Sequence, residues 1–492
     1  MDYRREMIHP NWRHQDREFD LHRDAVARAL HWQMRTGKTK AMVDLACYLY
    51  MEGRIDGVLI LAPNNVHANW TRREIPEHHW LGVGFSAMAW NTEEAKQADY
   101  DRRFGELLAY RGLAWYAVNA EATVMASQRP FITAFMKRRR FMLIVDETHE
   151  WRRPGSKRSM FVRNKVAPRA VVRRNLSGTM VDNNPLHAYA QYAILKKEGA
   201  LGFKSYGDFE KHFGVWEHDE IYVGGRPRTV LKLVDFRNMD ELRERMMSWT
   251  SYVYRDECDD LPQLVPGVGE FQLVGQQKRI YNELARNALV KLDTGEPLEV
   301  DGEHGVITKL QTIRSGYVKD MDGEVHWLVD DDHNPAFSLL LEEIRRTDGK
   351  VIVWCRYRLE IETICRLLKK AGIRAVHYYG GTKQADRPKH EERFRSDPQL
   401  KVMVAQPKAC GQGLDFSAGE HIIWFSHTHG DLIGRRQADE RCTKMGGRRI
   451  AVTDLVGRCT VDEKILADQD SKVGRTDFLT GDGLRELLRI VP

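Results

Sequence analysis

No stretch of the 492 residues approaches the roughly 18 consecutive apolar residues that a membrane-spanning helix requires. The opening segment, Met1 to Pro10, also lacks the apolar core of a secretory signal, so a cytoplasmic location is expected. Cysteine is sparse and scattered. Cys47, Cys258, Cys355, Cys365, Cys410, Cys442 and Cys459 stand singly, with no Cys-x-x-Cys pair and no zinc-ligand spacing, which excludes a disulfide scaffold and leaves reduced thiols. Short-period repeats and low-complexity tracts are absent too, which argues against a solenoid. A strong charge of one sign is likewise missing: the formal net charge is +6, which permits a polyanionic partner without demanding one. What remains is a folded chain, 42% hydrophobic and 30% charged, long enough for two or more domains.

Short, continuous apolar runs recur at Val58 to Pro63, Phe141 to Glu147, Lys350 to Cys355, Lys401 to Gln406 and His421 to Ser426, separated by helix-like amphipathic stretches. Runs of this kind are parallel strands covered on both faces, so an α/β fold is predicted. Two lie in the N-terminal half and three in the C-terminal half. The middle, Leu186 to Arg345, has a helical and partly irregular texture.

Met34-Arg35-Thr36-Gly37-Lys38-Thr39 matches the end of a phosphate-binding loop, followed at once by helix-like sequence from Lys40 to Tyr50. Gly37 lets backbone amides approach phosphates, Lys38 reaches the β and γ phosphates, and the Thr39 hydroxyl suits magnesium. The full pattern wants a glycine where Trp32 stands. Further on, the apolar run Met142 to Val145 leads straight into Asp146-Glu147, a carboxylate pair at a strand end. There Asp146 would hold magnesium and Glu147 would orient and deprotonate a water. Together the two elements predict ATP binding.

Other segments fall in order around these. His14-Gln15 precedes the loop. Ala62-Pro63 with Asn69-Trp70, then Asn119-Ala120-Glu121, Asp146-Glu147-Thr148-His149 with Lys157-Arg158-Ser159, and Leu176-Ser177-Gly178-Thr179 with Asn183-Asn184-Pro185 follow it. The second half continues with Tyr254-Arg255, Leu261-Pro262, Gln311 to Gly316, Asn334-Pro335 and Val351 to Arg356. It ends with Tyr379-Gly380-Gly381-Thr382, Cys410-Gly411-Gln412-Gly413-Leu414-Asp415, and Gln437-Ala438 with Arg441. In this order, over about Trp12 to Lys464, the chain resembles the superfamily 2 helicases and, within them, the Swi/Snf type of DNA translocase.

The resemblance implies two RecA-like parallel-sheet lobes, residues 1–250 and 251–492, with helical insertions at about 186–250 and 275–345 and ATP bound with magnesium in the cleft between them. It assigns catalysis to Lys38, Asp146 and Glu147 and, from the second lobe, to Arg441 and Lys444. Nucleotide binding falls to Gln15, as the adenine-reading residue, to Arg35, Thr36, Gly37, Lys38 and Thr39, and to Gly413 and Asp415; magnesium falls to Thr39 and Asp146. DNA, held through its backbone without sequence specificity, would meet Pro63, Asn64, Asn119, Gly380, Gly381, Thr382 and Lys408. Lys444 and Gly447 depart from the family's arginine and glutamine, and a lysine lacks the planar fork of an arginine finger, so ATP binding is the firmer expectation than efficient hydrolysis.

The leading expectation is therefore an ATP-driven translocase on duplex DNA. A strand-separating DNA or RNA helicase and an ATP-gated binding protein with weak hydrolysis are the alternatives. The short flanks resemble the stripped-down versions of phages and bacteria. Several conspicuous residues receive plainer readings. Lys137 to Arg140 reads as a solvated helix end, Trp354 and Trp424 as core, and His78-His79 and His427 with His429 lack partners at metal spacing.

Overall fold

The computed structural model describes residues 3–470 except 65, 179–183, 197–198, 200, 224–225, 255–257, 259–261, 295–301, 321, 384–385, 411–414, 429–431 and 444–446. It divides into two units, Met1–Cys258 and Asp259–Pro492.

Strands β1 (Ala27–Trp32), β2 (Gly57–Ala62), β3 (Phe85–Ala89), β4 (Leu113–Asn119), β5 (Phe141–Val145) and β6 (Val172–Ser177) belong to the first unit, with the hairpin β7 (Gly214–Val223) and β8 (Arg226–Phe236) and the last strand β9 (Thr250–Val253). Its main sheet runs β3-β4-β2-β5-β6-β1-β9 and every neighbouring pair is parallel. The central β2 and β5 are buried along their whole length, which is why their sequences are apolar without alternation. Successive residues still feed opposite faces: Val58 and Ile60 join the cluster that holds Val43 and Leu49 of the helix after β1, whereas Leu59 and Leu61 join Tyr116 and Phe135 on the other side.

The sequence-based boundary at residue 250 needs correction. A cut there would sever β9, whose residues Thr250 to Val253 pair with Ala29 to Trp32 of β1, so the first unit extends to Cys258. The 186–250 stretch is also not purely helical. Helices Ala188–Leu195, Tyr206–Phe213 and Met239–Met247 flank the antiparallel β7-β8 hairpin, whose Trp216, Leu233 and Phe236 pack at the edge of the cluster built on Phe209 and Phe213. The adjacent apolar residues Val230-Leu231 and Leu233-Val234 break the alternation that would have betrayed the strand.

The second unit contributes β10 (Leu264–Phe271), β11 (Tyr317–Lys319), β12 (Val325–Trp327), β13 (Lys350–Trp354), β14 (Ala375–Tyr378), β15 (Val402–Ala405), β16 (Gly419–Trp424) and β17 (Ile450–Gly457). Its six-stranded sheet runs β10-β17-β16-β13-β15-β14, again all parallel. Two parallel sheets flanked by helices bear out the expected α/β fold. The 275–345 stretch supplies helices Gly275–Thr294, Gly302–Arg314 and Pro335–Arg346 together with the small antiparallel β11-β12 pair. A charge pair sits in this core: Arg314 lies 4.8 Å from each of the Phe271 and Phe425 ring centroids, donates to the Leu455 carbonyl at 2.6 Å, and meets Asp462 at 2.7 Å. Trp354 and Trp424 are buried core residues with ring centroids 5.9 Å apart. None of the seven cysteines enters a disulfide. No helix among the described residues is long and apolar enough to cross a membrane.

Candidate active site

Three neighbouring strands of the first sheet end together: β5, β6 and β1 lie side by side and point the same way. The residues after each of them form the site. Such carboxyl ends of parallel strands are where α/β sheets bind ligands.

After β1 the chain curls through Gln33 to Gly37 into helix α2 (Lys38–Met51). Arg35 (φ 64°) and Gly37 (φ 78°) are both left-handed. Gly37 is required twice over, since a Cβ there would also lie 2.2 Å from Gln15 Nε2. The loop is tied down from outside by the preceding helix α1 (Arg13–His22): Gln15 Nε2 donates to the Gly37 carbonyl at 2.9 Å, and its Oε1 accepts from the Trp12 N–H at 2.9 Å. His14 Nε2 donates to the Thr36 carbonyl at 2.8 Å. Within the loop, the buried Thr36 hydroxyl donates to the Gln33 carbonyl at 2.7 Å, and Lys38 Nζ donates to the carbonyls of Trp32 and Gln33 at 2.7 and 3.1 Å. Thr39 occupies the first turn of α2, half-buried.

After β5 come the carboxylates, both buried. Asp146 Oδ1 accepts from the Glu147 N–H at 3.0 Å, and Oδ2 accepts from the indole Nε1–H of Trp70 at 3.0 Å. Burial, reinforced by the Glu147 charge, pushes the Asp146 carboxyl up to about 6. Glu147 adopts φ 48°, an uncommon conformation for a non-glycine residue and one that clusters at functional sites. Burial acts to raise its pKa, but His149, Lys38 and the Gly178 backbone outweigh it and hold the carboxyl below its ordinary value. His149 Nδ1 stands 3.3 Å from Glu147 Oε2, and this pairing raises the imidazole above its usual range despite burial. After β6, Gly178 backs onto the loop: a Cβ there would lie 2.9 Å from Met34 Cγ and 3.8 Å from Lys38 Nζ.

The expected DNA-facing residues of the first unit share this edge of the sheet. Pro63 and Asn64 follow β2, and Asn119 ends the adjacent β4 in register with Ala62. Asn64 is exposed, whereas Asn119 is half-buried and donates to Glu121 at 3.3 Å. In the second unit, Gly380 and Gly381 follow β14 and Lys408 follows the neighbouring β15; all three are exposed. Thr382 is buried, and its hydroxyl accepts from the Tyr379 N–H at 3.1 Å, so it holds the turn that presents the two glycines. Asp415 is buried and its carboxylate accepts from the Ser417 N–H at 3.1 Å. Arg441 is buried with its guanidinium donating to the Cys410 carbonyl. Gly413 and Lys444 lie outside the described residues.

Two positioning residues escaped the sequence reading. Trp70 stood there only as part of a motif, with no sign that its indole reaches Asp146. Arg174, on β6, is buried and donates to the carbonyls of His22 and Ala25 at 3.2 and 2.8 Å, anchoring the far end of α1, the helix that carries Gln15. Burial drags its pKa down to about 9.

Residues 335–446, from the helix Pro335–Arg346 onward, match the model of the helicase conserved C-terminal domain. An uncharacterized ATP-dependent helicase of Schizosaccharomyces pombe is 27% identical over 169 residues, which are 34% of this chain and 16% of that protein. The mouse SWI/SNF-related matrix-associated actin-dependent regulator of chromatin subfamily A containing DEAD/H box 1 is 23% identical over 181 residues, 36% of this chain and 17% of that protein. The chain thus spans about a sixth of the length of these curated relatives. Among solved structures, the Sulfolobus solfataricus SWI2/SNF2 ATPase core in complex with dsDNA aligns over 99% of this chain and 97% of that chain, with 17% identity and a TM-score of 0.41.

Proposed function

We propose that this chain is a motor of the Swi/Snf-like type of superfamily 2 helicases, a DNA-dependent ATPase which moves along duplex DNA. The observation that carries the reading is the convergence of the Gly37-Lys38 loop, the Asp146-Glu147 pair and Gly178 at three adjacent strand ends.

The residues fit a nucleoside triphosphate with magnesium. Gly37 and Gly178 stand where a Cβ would collide with the site's own side chains, and α2 begins with backbone N–H groups that favour a phosphate. Lys38, now donating to loop carbonyls, would exchange them for phosphate oxygens. Asp146, a buried carboxylate beside a second one, suits a site that receives positive charge, and with Thr39 it would hold the magnesium. When bound, magnesium offsets the negative charge of the β and γ phosphates. Glu147, kept ionised and paired with His149, would take the proton of the attacking water. Arg441 is the candidate second-unit cation and would have to leave the Cys410 carbonyl to act.

Duplex rather than single-stranded DNA is proposed on the Swi/Snf-like details at Asn183-Asn184-Pro185 and Gly411 to Asp415. The test is ATP hydrolysis with and without duplex DNA. Duplex should stimulate turnover, Lys38→Ala and Glu147→Gln should each abolish it, and triplex displacement should exceed unwinding of a forked duplex. Absence of stimulation by any DNA would overturn the reading.

A further inference from the structure

Positive charge is spread unevenly along this chain, and its largest run without an acidic residue follows the Asp146-Glu147 pair. The 22 residues from Arg152 to Arg173 contain eight lysines and arginines and no aspartate or glutamate, a charge of +8. The whole protein carries +6, so the other 470 residues are net −2. A surface this one-sided repels itself unless a polyanion lies on it.

The fold turns five of these eight charges outward. The segment begins just past the 3-10 turn Thr148–Trp151 that follows Glu147 and runs through a short helix, Lys157–Phe161, into the wider turn Val162–Val166. Its apolar members Val162, Val166 and Ala167 join the core cluster with Trp151. Arg152, Arg153, Lys157, Lys165 and Arg169 are exposed. The helix packs against the turn Glu121–Val124, immediately after Asn119. Arg129, over the Phe161 ring at 5.0 Å, extends the basic border. Two acidic residues beside the segment are already engaged: Glu150 is paired with Arg158 at 3.5 Å, and Glu121 accepts from Asn119.

We propose that the segment Arg152 to Arg173 is a phosphate-backbone track for duplex DNA on the first unit, prolonging the contact that begins at Asn119. It rests on the proposed function. Exposed lysines and arginines with no fixed base-reading geometry bind phosphates in this way, and such binding is strongly salt-dependent and carries no sequence information.

The test uses the full chain and a fluorescent duplex of mixed sequence, with affinity followed against salt concentration. Each phosphate that the protein ceases to neutralise lowers the slope of log K against log salt by about 0.9, so Arg152→Gln/Arg153→Gln/Lys157→Gln should flatten it by about 2 to 3 and weaken binding at least about tenfold at physiological salt. The control is Lys137→Gln/Arg138→Gln/Arg140→Gln, which removes equal charge from exposed residues preceding β5, at the opposite end of that strand. It should leave the slope unchanged. Lys165→Gln/Arg169→Gln serves as a second test variant if thermal denaturation shows that the first does not fold. An unchanged slope in the folded variant, or an equal loss in the control, overturns the track. Unchanged slope with intact DNA stimulation of ATP hydrolysis sinks the track alone, whereas unaltered protein that shows no salt-dependent duplex binding sinks the track and the proposed function together.

Discussion

Replacing Trp70 by phenylalanine deletes the indole N–H together with two ring carbons from a site that is 1% exposed, so the lost hydrogen bond has to be separated from the lost packing. The consequence falls on Asp146, whose Oδ2 loses the 3.0 Å indole bond while Oδ1 keeps the Glu147 N–H. A hydrogen bond to a buried charged group contributes about 1.5 to 3 kcal/mol, so loss of the bond alone is expected to cost about 2 kcal/mol. For a folding unit of this size that is a fall in Tm of roughly 4 to 8 °C. A double-mutant cycle with Asp146→Leu isolates the bond. Removing Asp146 also relieves repulsion with Glu147, but that gain enters both arms of the cycle and cancels. In urea unfolding of the nucleotide-free protein at pH 8, where Asp146 is ionised, the coupling should be about 2 kcal/mol. It should shrink as pH falls through about 6, because the carboxyl then takes up its proton and the bond is no longer charge-assisted. A coupling below about 0.5 kcal/mol at pH 8 would refute the reasoning, since that is the scatter expected of independent sites.

Gly37→Ala must strain a φ of 78° and drive a methyl into Gln15 Nε2, so nucleotide affinity should fall at least about tenfold, equivalent to about 1.4 kcal/mol, in equilibrium binding of a fluorescent ATP analogue; unchanged affinity would mean that the loop does not hold the phosphates. His31, buried on β1 against Tyr192 and Tyr252, has its pKa lowered by burial from 6.5 to about 4. Above pH 6.5 it is neutral in folded and unfolded chains alike; below that only the unfolded chain takes up the proton, so stability drains away as pH falls to about 4, by about 3 kcal/mol in all. His31→Leu should remove that part of the acid slope in urea unfolding between pH 7 and 4, and an unaltered slope would disprove the assignment. In the second unit, Arg314→Met leaves Asp462 buried without its cation and should cost about 3 to 5 kcal/mol, while Arg314→Met with Asp462→Leu should recover most of it; equal losses in the single and double variants would show that packing, not charge, is at stake.

The strands that could be read from the sequence are those at the middle of their sheets. β2 and β5 in the first unit and β13, β15 and β16 in the second are buried on both faces, so their cores are apolar and nothing interrupts the run. Nearer the edges the pattern dissolves. β10 exposes Val265 and Val268, and β1 carries Arg28 and His31, the latter buried. The site divides in the same way. Gly37, Lys38, Asp146 and Glu147 stood out because a phosphate-loop pattern and a strand-end carboxylate pair are matters of residue type and spacing, and the structure brings them together at neighbouring strand ends. Trp70 and Arg174 were not, because what matters in them is direction. An indole is apolar bulk until its N–H is seen to meet a carboxylate 76 residues on, and Arg174 in a strand looks like surface charge until its guanidinium is found on the carbonyl of His22. Arg441 makes the same point from the other side. Its type and position announce a catalytic cation, yet its guanidinium is turned onto the Cys410 carbonyl. Residue type thus identifies what can react, whereas the buried donors and acceptors around it decide where it points. Those partners lie 31 to 152 residues away along the chain, and the sequence pattern carries no trace of them.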